Sequence, residues 1–563
     1  MTGAGEPPGG SGGEPPGGGS GGESGGDRDR GLGRSVRSMA AGTAVSRLTG
    51  FLRTAVIASA LGVTGLGTAY NVANTAPNIV YELLLGGILT AVVVPLLVRA
   101  AKDDADGGTA YAQRLLTLVV LVLGGAAVLL VVAAPLVVDL YLAPDVPDDV
   151  RDLAVTFARF FLPQVLFYGA GAVMGAILNA RGRFGPPMWA PVLNNVVVVV
   201  TGLLFLWTAT TDGGAGSLST SSTVLLAVGT TLGVVAQTVA LVPSLRRAGF
   251  PLRPRFDLRQ VGLGRIARLA QWTFLYVVAN QVAYLVVVRL ATGAFEATPD
   301  RSYASYVYAF LLWQLPHAVV AVSVITGLLP RMSRAAADGR TDDLRATLNR
   351  GLRLTAALLV PAAAAFVVLG RDIAVLVFGR GNVSPEEARF IGLLLAVFAV
   401  GLVPFSLYQL QLRAFYAMQD TRTPFLVNLS VNAALVVVDV ALYLSLPDQW
   451  KVVGLAAGHA TSFVVGLLVC SRVLGRRTGG LDAAVVVRTV VRCVVAVLPA
   501  ALAAAGVAAL AHRAAGDGPA GALLALVGGV AVLGPGYLLL TRRLHVGEVA
   551  EAAAPVLRLL RRR

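Results

Sequence analysis

Residues 74–97 read NTAPNIVYELLLGGILTAVVVPLL, and residues 311–333 read LLWQLPHAVVAVSVITGLLPRMS. Each is an apolar run about as long as the 20 or so helical residues that cross a bilayer. Pro77 matches Pro316 and Pro95 matches Pro330, at offsets of 239 and 235 residues. AILNARGRFGPP (176–187) and QLRAFYAMQDTRTP (411–424) match at a similar offset. Two six-helix halves in the same orientation are one repeat arrangement of membrane transporters, with the binding site at their interface. Chance proline spacing in a low-diversity apolar sequence is the alternative.

The rest of the chain agrees with these two runs. Of its 563 residues, 56% are hydrophobic and 14% charged, and the mean hydropathy is +0.72. A soluble protein carries about 25% charged residues, so an ordinary globular enzyme and a wholly disordered chain are both excluded. Fourteen candidate spans follow: 39–61, 68–99, 115–142, 152–179, 188–210, 222–245, 270–293, 303–330, 351–370, 389–417, 424–446, 452–474, 488–511 and 519–541. Backbone groups in lipid must be satisfied within the segment, and these runs are too long and too continuously apolar for barrel strands. The expected fold is all-α and polytopic, with two six-helix lobes and two additional C-terminal helices.

Residues 1–33, rich in Gly, Pro, Ser and Glu, cannot bury enough apolar surface to offset the entropy of ordering and are expected to form a disordered tail. The domain reading is therefore 1–33 tail, 34–245 first lobe, 246–269 basic linker, 270–475 second lobe, and 476–563 two further helices with a basic tail. The net charge is +15, and all but two of the 46 basic residues are Arg. With the N-terminus inside, 35 basic residues fall in or beside inner loops and eight on the opposite side. That asymmetry expects both termini in the cytoplasm. The cations are thus topology signals, and nucleic acid is not an expected partner.

Little enzymatic chemistry is available. Cys470 and Cys493 lie inside apolar segments, the four histidines are scattered, and no GxxxxGK[ST], HExxH or GxSxG motif occurs. No cofactor and no metal are expected. Ionisable groups at membrane depth are costly in lipid and are functional candidates by default. They are Arg47 and Arg53 in span 1, Glu82 in span 2, Arg289 toward the outer end of span 7, and Asp439 in span 11. Asn71, Asn74, Asn78 and Glu82 fall on one helical face, which suits either a hydrated cavity or a polar seam between helices. Arg47 and Arg53 lie roughly 120° apart around their helix. They could lead a phosphate into a cavity; otherwise Arg47 snorkels inward and Arg53 pairs with Glu82. Tyr306, Trp313 and His317 repeat the i, i+7, i+11 spacing in span 8, as a sugar-stacking face or as plain packing. Arg289 can reach the outer interface, and Asp439 has no evident partner.

The stretch SRLTGFLRTAVIASALGVTGLGTAYNVANTAPNIVYELLLGGILTAVVVPLLVRA (46–100) resembles the MurJ (also called MviN) lipid II flippase family, in an actinobacterial-type variant, through SR-x-x-GF-x-R, the PN pair and the VP near the end of span 2. The resemblance continues through AILNARGRFGPPMWAPVLNN, GLLPRMSRAAADGRTDDLRATLNRGLRL and RAFYAMQDTRTP. It implies a transporter of the multidrug/oligosaccharidyl-lipid/polysaccharide superfamily in the bacterial plasma membrane. That transporter would export undecaprenyl-diphosphate-linked peptidoglycan precursor to the outer leaflet by alternating access. The implied partners are that precursor, membrane lipid, and cell-wall synthesis or division proteins.

Two cavity arginines of the family carry over onto Arg47 and Arg53. Tyr81-Glu82 stands where many members have Arg-Arg, Leu311 where they have the Arg of span 8, and Thr68 where they have an acid. The expected substrate-binding residues are Arg47, Arg53, Asn74, Asn78, Glu82, Arg289 and His317. Asn428, Asn432 and Thr461 stand near the sodium position of some relatives, but its carboxylates are missing. The competing readings are a cation-coupled drug or polysaccharide-lipid exporter on the same fold, and a non-transporting membrane scaffold for cell-wall enzymes.

Overall fold

A computed structural model describes residues 42, 45–83, 94–208, 218–257, 263–295, 297–299, 301, 303–549 and 551. The first lobe comprises α1 (45–61), α2 (Gly65–Leu83), α3 (Val94–Asp103), α4 (Thr109–Val132) and α5 (Ala134–Tyr141). It continues with α6 (Asp148–Phe161), α7 (Gln164–Ala180), α8 (Gly185–Thr208), α9 (Thr220–Val239) and α10 (Leu241–Arg247). The second lobe holds α11 (Leu263–Gly293), α12 (Tyr303–Pro316), a π turn (His317–Ala321) and α13 (Val322–Ala337). It is completed by α14 (Thr341–Phe378), α15 (Pro385–Val400), α16 (Leu402–Ala417), α17 (Arg422–Ser445) and α18 (Asp448–Arg477). Two more helices, α19 (Ala483–Ala515) and α20 (Pro519–Arg543), pack on each other and on α14.

Among the described residues, eleven helical segments are long and apolar enough to cross a membrane, and the pair α15–α16, bent by 48°, is a twelfth when taken as one span. They fall on the third to fourteenth expected spans. The first span is helical over 45–61, and the second is described only at its two ends. The tail 1–33 lies outside the described residues, and so does part of the basic linker. Exposed Leu, Val and Trp side chains, such as Leu502 and Trp207, point outward where lipid would solvate them.

Polar bonds tie the lobes together at the end where α1 turns into α2. Asn382, in the turn after α14, donates from its backbone N to Ser59 O at 2.8 Å and from Nδ2 to Ala60 O at 2.7 Å. Tyr308 donates to Gly62 O at 3.3 Å. Gly62 has φ +72°, and a Cβ there would meet Asn382 O at 2.8 Å, so this turn needs glycine on two counts. Tyr303 OH meets Thr75 Oγ1 at 3.1 Å and Tyr284 OH at 2.7 Å. Thr292 Oγ1 accepts the Ala143 N–H at 3.0 Å.

The repeated loop motif at 411–424 has a structural reason at the opposite end. Asp420 accepts the Thr423 backbone N–H at 3.0 Å and its hydroxyl at 2.6 Å, so it caps the start of α17, and Arg477 pairs with the same carboxylate. Burial pushes this carboxyl up, but the bonds from Thr423 and Arg477 outweigh it and hold it below the usual carboxylate range. A depressed carboxylate stabilises the fold above its unfolded pKa, and that stability is lost as pH falls through the lower folded value. Asp420→Ala should cost about 1–2 kcal/mol, read as a lower melting temperature at neutral pH. The deficit should shrink in acid.

Candidate functional site

Between the lobes lies a cavity of about 500 Å³, walled by α2 on one side and by α11, α12, α16, α17 and α18 on the other. Asn71, Asn74 and Asn78 line it together, as their shared helical face requires. The opposite wall carries amides, among them Asn280, Gln281 and Gln409, and aromatic groups including Tyr306, Phe310 and Phe405. No charged side chain is among the described lining residues. Such a wall can hydrogen-bond hydroxyls and peptide amides and stack on sugar faces, and it offers neutral partners only.

Three amides on this wall satisfy one another. Asn280 Oδ1 accepts from Asn428 Nδ2 at 2.8 Å and from Asn432 Nδ2 at 3.0 Å, which locks α11 to α17. Thr461 is exposed and, among the described residues, bonds only within its own helix, to Ala457 O. Among the described residues no group of three or more His, Cys, Asp or Glu could hold a metal. Farther along the wall, Tyr306 OH lies 2.9 Å from His459 Nδ1, and Phe310 packs edge-on to the same imidazole at 5.1 Å.

His317 begins the π turn of the second lobe, with Nδ1 2.9 Å from Ser406 Oγ and its ring 4.5 Å from that of Phe405, a cavity residue. A π turn leaves backbone carbonyls poorly paired within the helix. Arg47, on α1 of the other lobe, donates from Nη1 to the Ala318 carbonyl in that turn. Arg47 thereby bridges the lobes and is not among the lining residues. Trp313 turns into the aromatic core, stacked on Phe463 at 5.6 Å, so the Tyr306, Trp313, His317 series divides between cavity and packing.

The remaining expected residues lie apart from the cavity wall. Arg53 is half-buried on α1 and makes no hydrogen bond or ion pair among the described residues. Arg289 donates from Nη1 to Asp139 O at 2.9 Å and to Leu140 O at 3.2 Å, capping the last turn of α5 across the lobe boundary. Glu82 sits on α2, and its side chain lies outside what the structure describes. Asp439 is fully buried on α17, neither carboxylate oxygen has a partner among the described residues, and a Cβ on Gly458 would sit 1.8 Å from Oδ1.

Sequence reasoning placed Asn428 and Asn432 only at a doubtful sodium position and missed Asn280, Gln281 and Gln409. The available signals were Asn280-Gln281 inside an otherwise apolar span and Asn428 with Asn432 at i, i+4, the spacing of one helical face.

A family model described as "Lipid II flippase MurJ" matches residues 57–526. The chain is 28% identical over 447 residues to a probable lipid II flippase MurJ of Rhizobium meliloti (strain 1021), covering 79% of this chain and 81% of that protein. It is 28% identical over 458 residues to the lipid II flippase MurJ of Burkholderia cenocepacia, covering 80% and 84%. A solved lipid II flippase MurJ in an inward closed conformation superposes with a TM-score of 0.70 at 18% identity, over 90% of this chain and 99% of that one. An inward-facing multidrug transporter of the MATE family shares the fold with a TM-score of 0.62 at 15% identity, over 77% and 94%. With the family model spanning both lobes and the polar cavity between them, the chain belongs to the lipid II flippase MurJ family.

Proposed function

We infer that this chain is a transporter that moves lipid II, the lipid-linked peptidoglycan precursor, across a bacterial inner membrane for cell-wall synthesis. The family match over residues 57–526 carries this reading. The cavity adds support, because amides and aromatic rings suit the sugar and peptide groups of such a cargo. Movement proceeds by alternating access, with the Asn382 and Tyr303 bonds parting at one end and the Arg47 contact at the other. The excess of basic residues on one side supports placing both termini in the cytoplasm. Asn74, Asn78 and His317 serve the carbohydrate and peptide, and Arg53 serves the diphosphate through its planar fork. Arg47, Glu82 and Arg289 act at the margins of the path, and cell-wall synthesis or division proteins dock outside the membrane.

Depleting this protein in cells that rely on it should make lipid II accumulate in the inner leaflet, read by leaflet-selective labelling. An unchanged distribution would overturn the reading. In the same cells Arg53→Ala should fail to restore growth at normal membrane levels. Arg53→Lys should restore little, because a lysine ammonium lacks the bidentate geometry. Full growth with Arg53→Ala would remove this residue from the mechanism and leave the family reading standing.

A further inference from the structure

A second recess of about 470 Å³ lies far from the interlobe cavity, where α14, the start of α19 and the stretch after α20 meet. Four arginines line it: Arg350 and Arg353 from α14, and Arg488 and Arg492 from α19. His545, Glu548 and Glu551 complete the wall. The two acids are already engaged. Glu551 pairs with Arg350, and Glu548 Oε1 lies 3.2 Å from Arg353 Nε. Arg488 and Arg492 are exposed and have no hydrogen-bond or ion-pair partner among the described residues. They stand four residues apart and therefore on one face of α19, within its first three turns.

Two further observations point to what fills this recess. His545 holds φ +53°, a left-handed conformation that costs a non-glycine residue free energy and brings the chain back over α14 and α19. The same helix that supplies the free arginines exposes Val495, Leu498 and Leu502 beyond them, in a band running toward the membrane interior. A ligand matching both surfaces has an anionic head and apolar chains. Basic pockets between helices on the cytoplasmic side of membrane proteins recognise such headgroups.

We propose that Arg488 and Arg492 bind the phosphate of an anionic membrane phospholipid, with the acyl chains laid along α19. The site lies where the two additional helices meet α14 of the second lobe, and it shares no lining residue with the interlobe cavity. It rests on the cytoplasmic placement of the termini, which puts the recess at the inner leaflet. Its occupant would clamp α19 to α14, staple the two additional helices to the second lobe, and make the stability of this part of the molecule depend on lipid charge.

The full chain, purified and reconstituted in nanodiscs, tests this independently of transport and of orientation in the cell. Replacing one quarter of the phosphatidylcholine by phosphatidylglycerol should raise the melting temperature by about 2 °C or more, as binding to the folded state requires. Arg488→Gln/Arg492→Gln should lose at least half of that rise. Arg542→Gln/Arg543→Gln, which removes two basic residues outside the recess, should keep it. Native mass spectrometry after exchange into neutral detergent should find at least one fewer phosphatidylglycerol retained by the recess variant. An equal rise in wild type and recess variant would overturn the proposal. So would a full rise in neutral nanodiscs on adding 10 mM inorganic phosphate, since the site would then serve a soluble anion. Failure of the lipid II depletion experiment with success here would leave the lipid site standing and remove only the transport reading.

Discussion

Asp439→Asn should lower the rate of lipid II movement about tenfold or more while leaving the melting temperature unchanged or higher. The carboxyl is fully buried on α17, and neither oxygen has a partner among the described residues. A lone carboxylate at membrane depth costs several kcal/mol. Nothing described around Asp439 offsets that cost in this state. Gly458 presses on it from α18, and the neighbouring His459 is engaged by Tyr306. A state of the cycle in which the lobes part and water reaches α17 would offset that cost. A group favoured in one state over another biases the equilibrium between them. Asparagine has nearly the same shape and no charge, so it removes the bias and relieves the folded state. Transport at the wild-type rate would make Asp439 a passive group, and a melting temperature several degrees lower would show that the carboxylate is partnered after all.

Gly392→Leu should remove the folded protein from the membrane fraction. Gly392 lies where α15 crosses α14 so closely that a Cβ would sit 2.4 Å from Arg371 Cα and 2.6 Å from Gly370 O. The Gly370 Cβ would in turn meet Gly392 O at 2.9 Å. All of these are backbone atoms, so no side chain can swing aside, and the helices would have to separate. Overpacking costs typically about 1–3 kcal/mol when side chains can adjust, and here they cannot. Even Gly392→Ala should lower the melting temperature, although alanine favours helix by about 0.5–1 kcal/mol over glycine. Gly506→Ala on α19 and Gly534→Ala on α20, where a Cβ meets nothing within 4 Å, should show that small helical gain unopposed. Wild-type levels and stability of Gly392→Leu would mean that α14 and α15 do not approach as described.

The helical spans were legible because hydropathy reports directly on the bilayer, whose thickness leaves few alternatives for runs like 311–333. The face Asn71, Asn74, Asn78 was legible for a similar reason: period 3.6 places side chains without any knowledge of neighbours. What the sequence could not reveal was which partner each long side chain meets. Arg47 and Arg289 reach backbone carbonyls of the opposite lobe, and no spacing rule relates residues 271 and 150 apart. The carbonyl that Arg47 takes depends on a π turn, which carries no sequence signature of its own. Asn428 and Asn432 were legible only as a doubtful sodium position, and Asn280 not at all, because the sequence reading weighed groups that are expensive in lipid. Neutral amides that satisfy one another are cheap, and only the crossing of α11 with α17 brings them together.

The neutral lining of the interlobe cavity has an electrical consequence. A diphosphate diester carries two negative charges, and with no fixed counter-charge on the described cavity wall and the single Arg53 cation proposed to meet them, part of that charge is left uncancelled in transit. Each elementary charge that crosses the full membrane potential exchanges about 2.3 kcal/mol per 100 mV. Anionic cargo leaving a cell that is negative inside moves down that gradient. The voltage would then act on that uncancelled charge of the cargo itself.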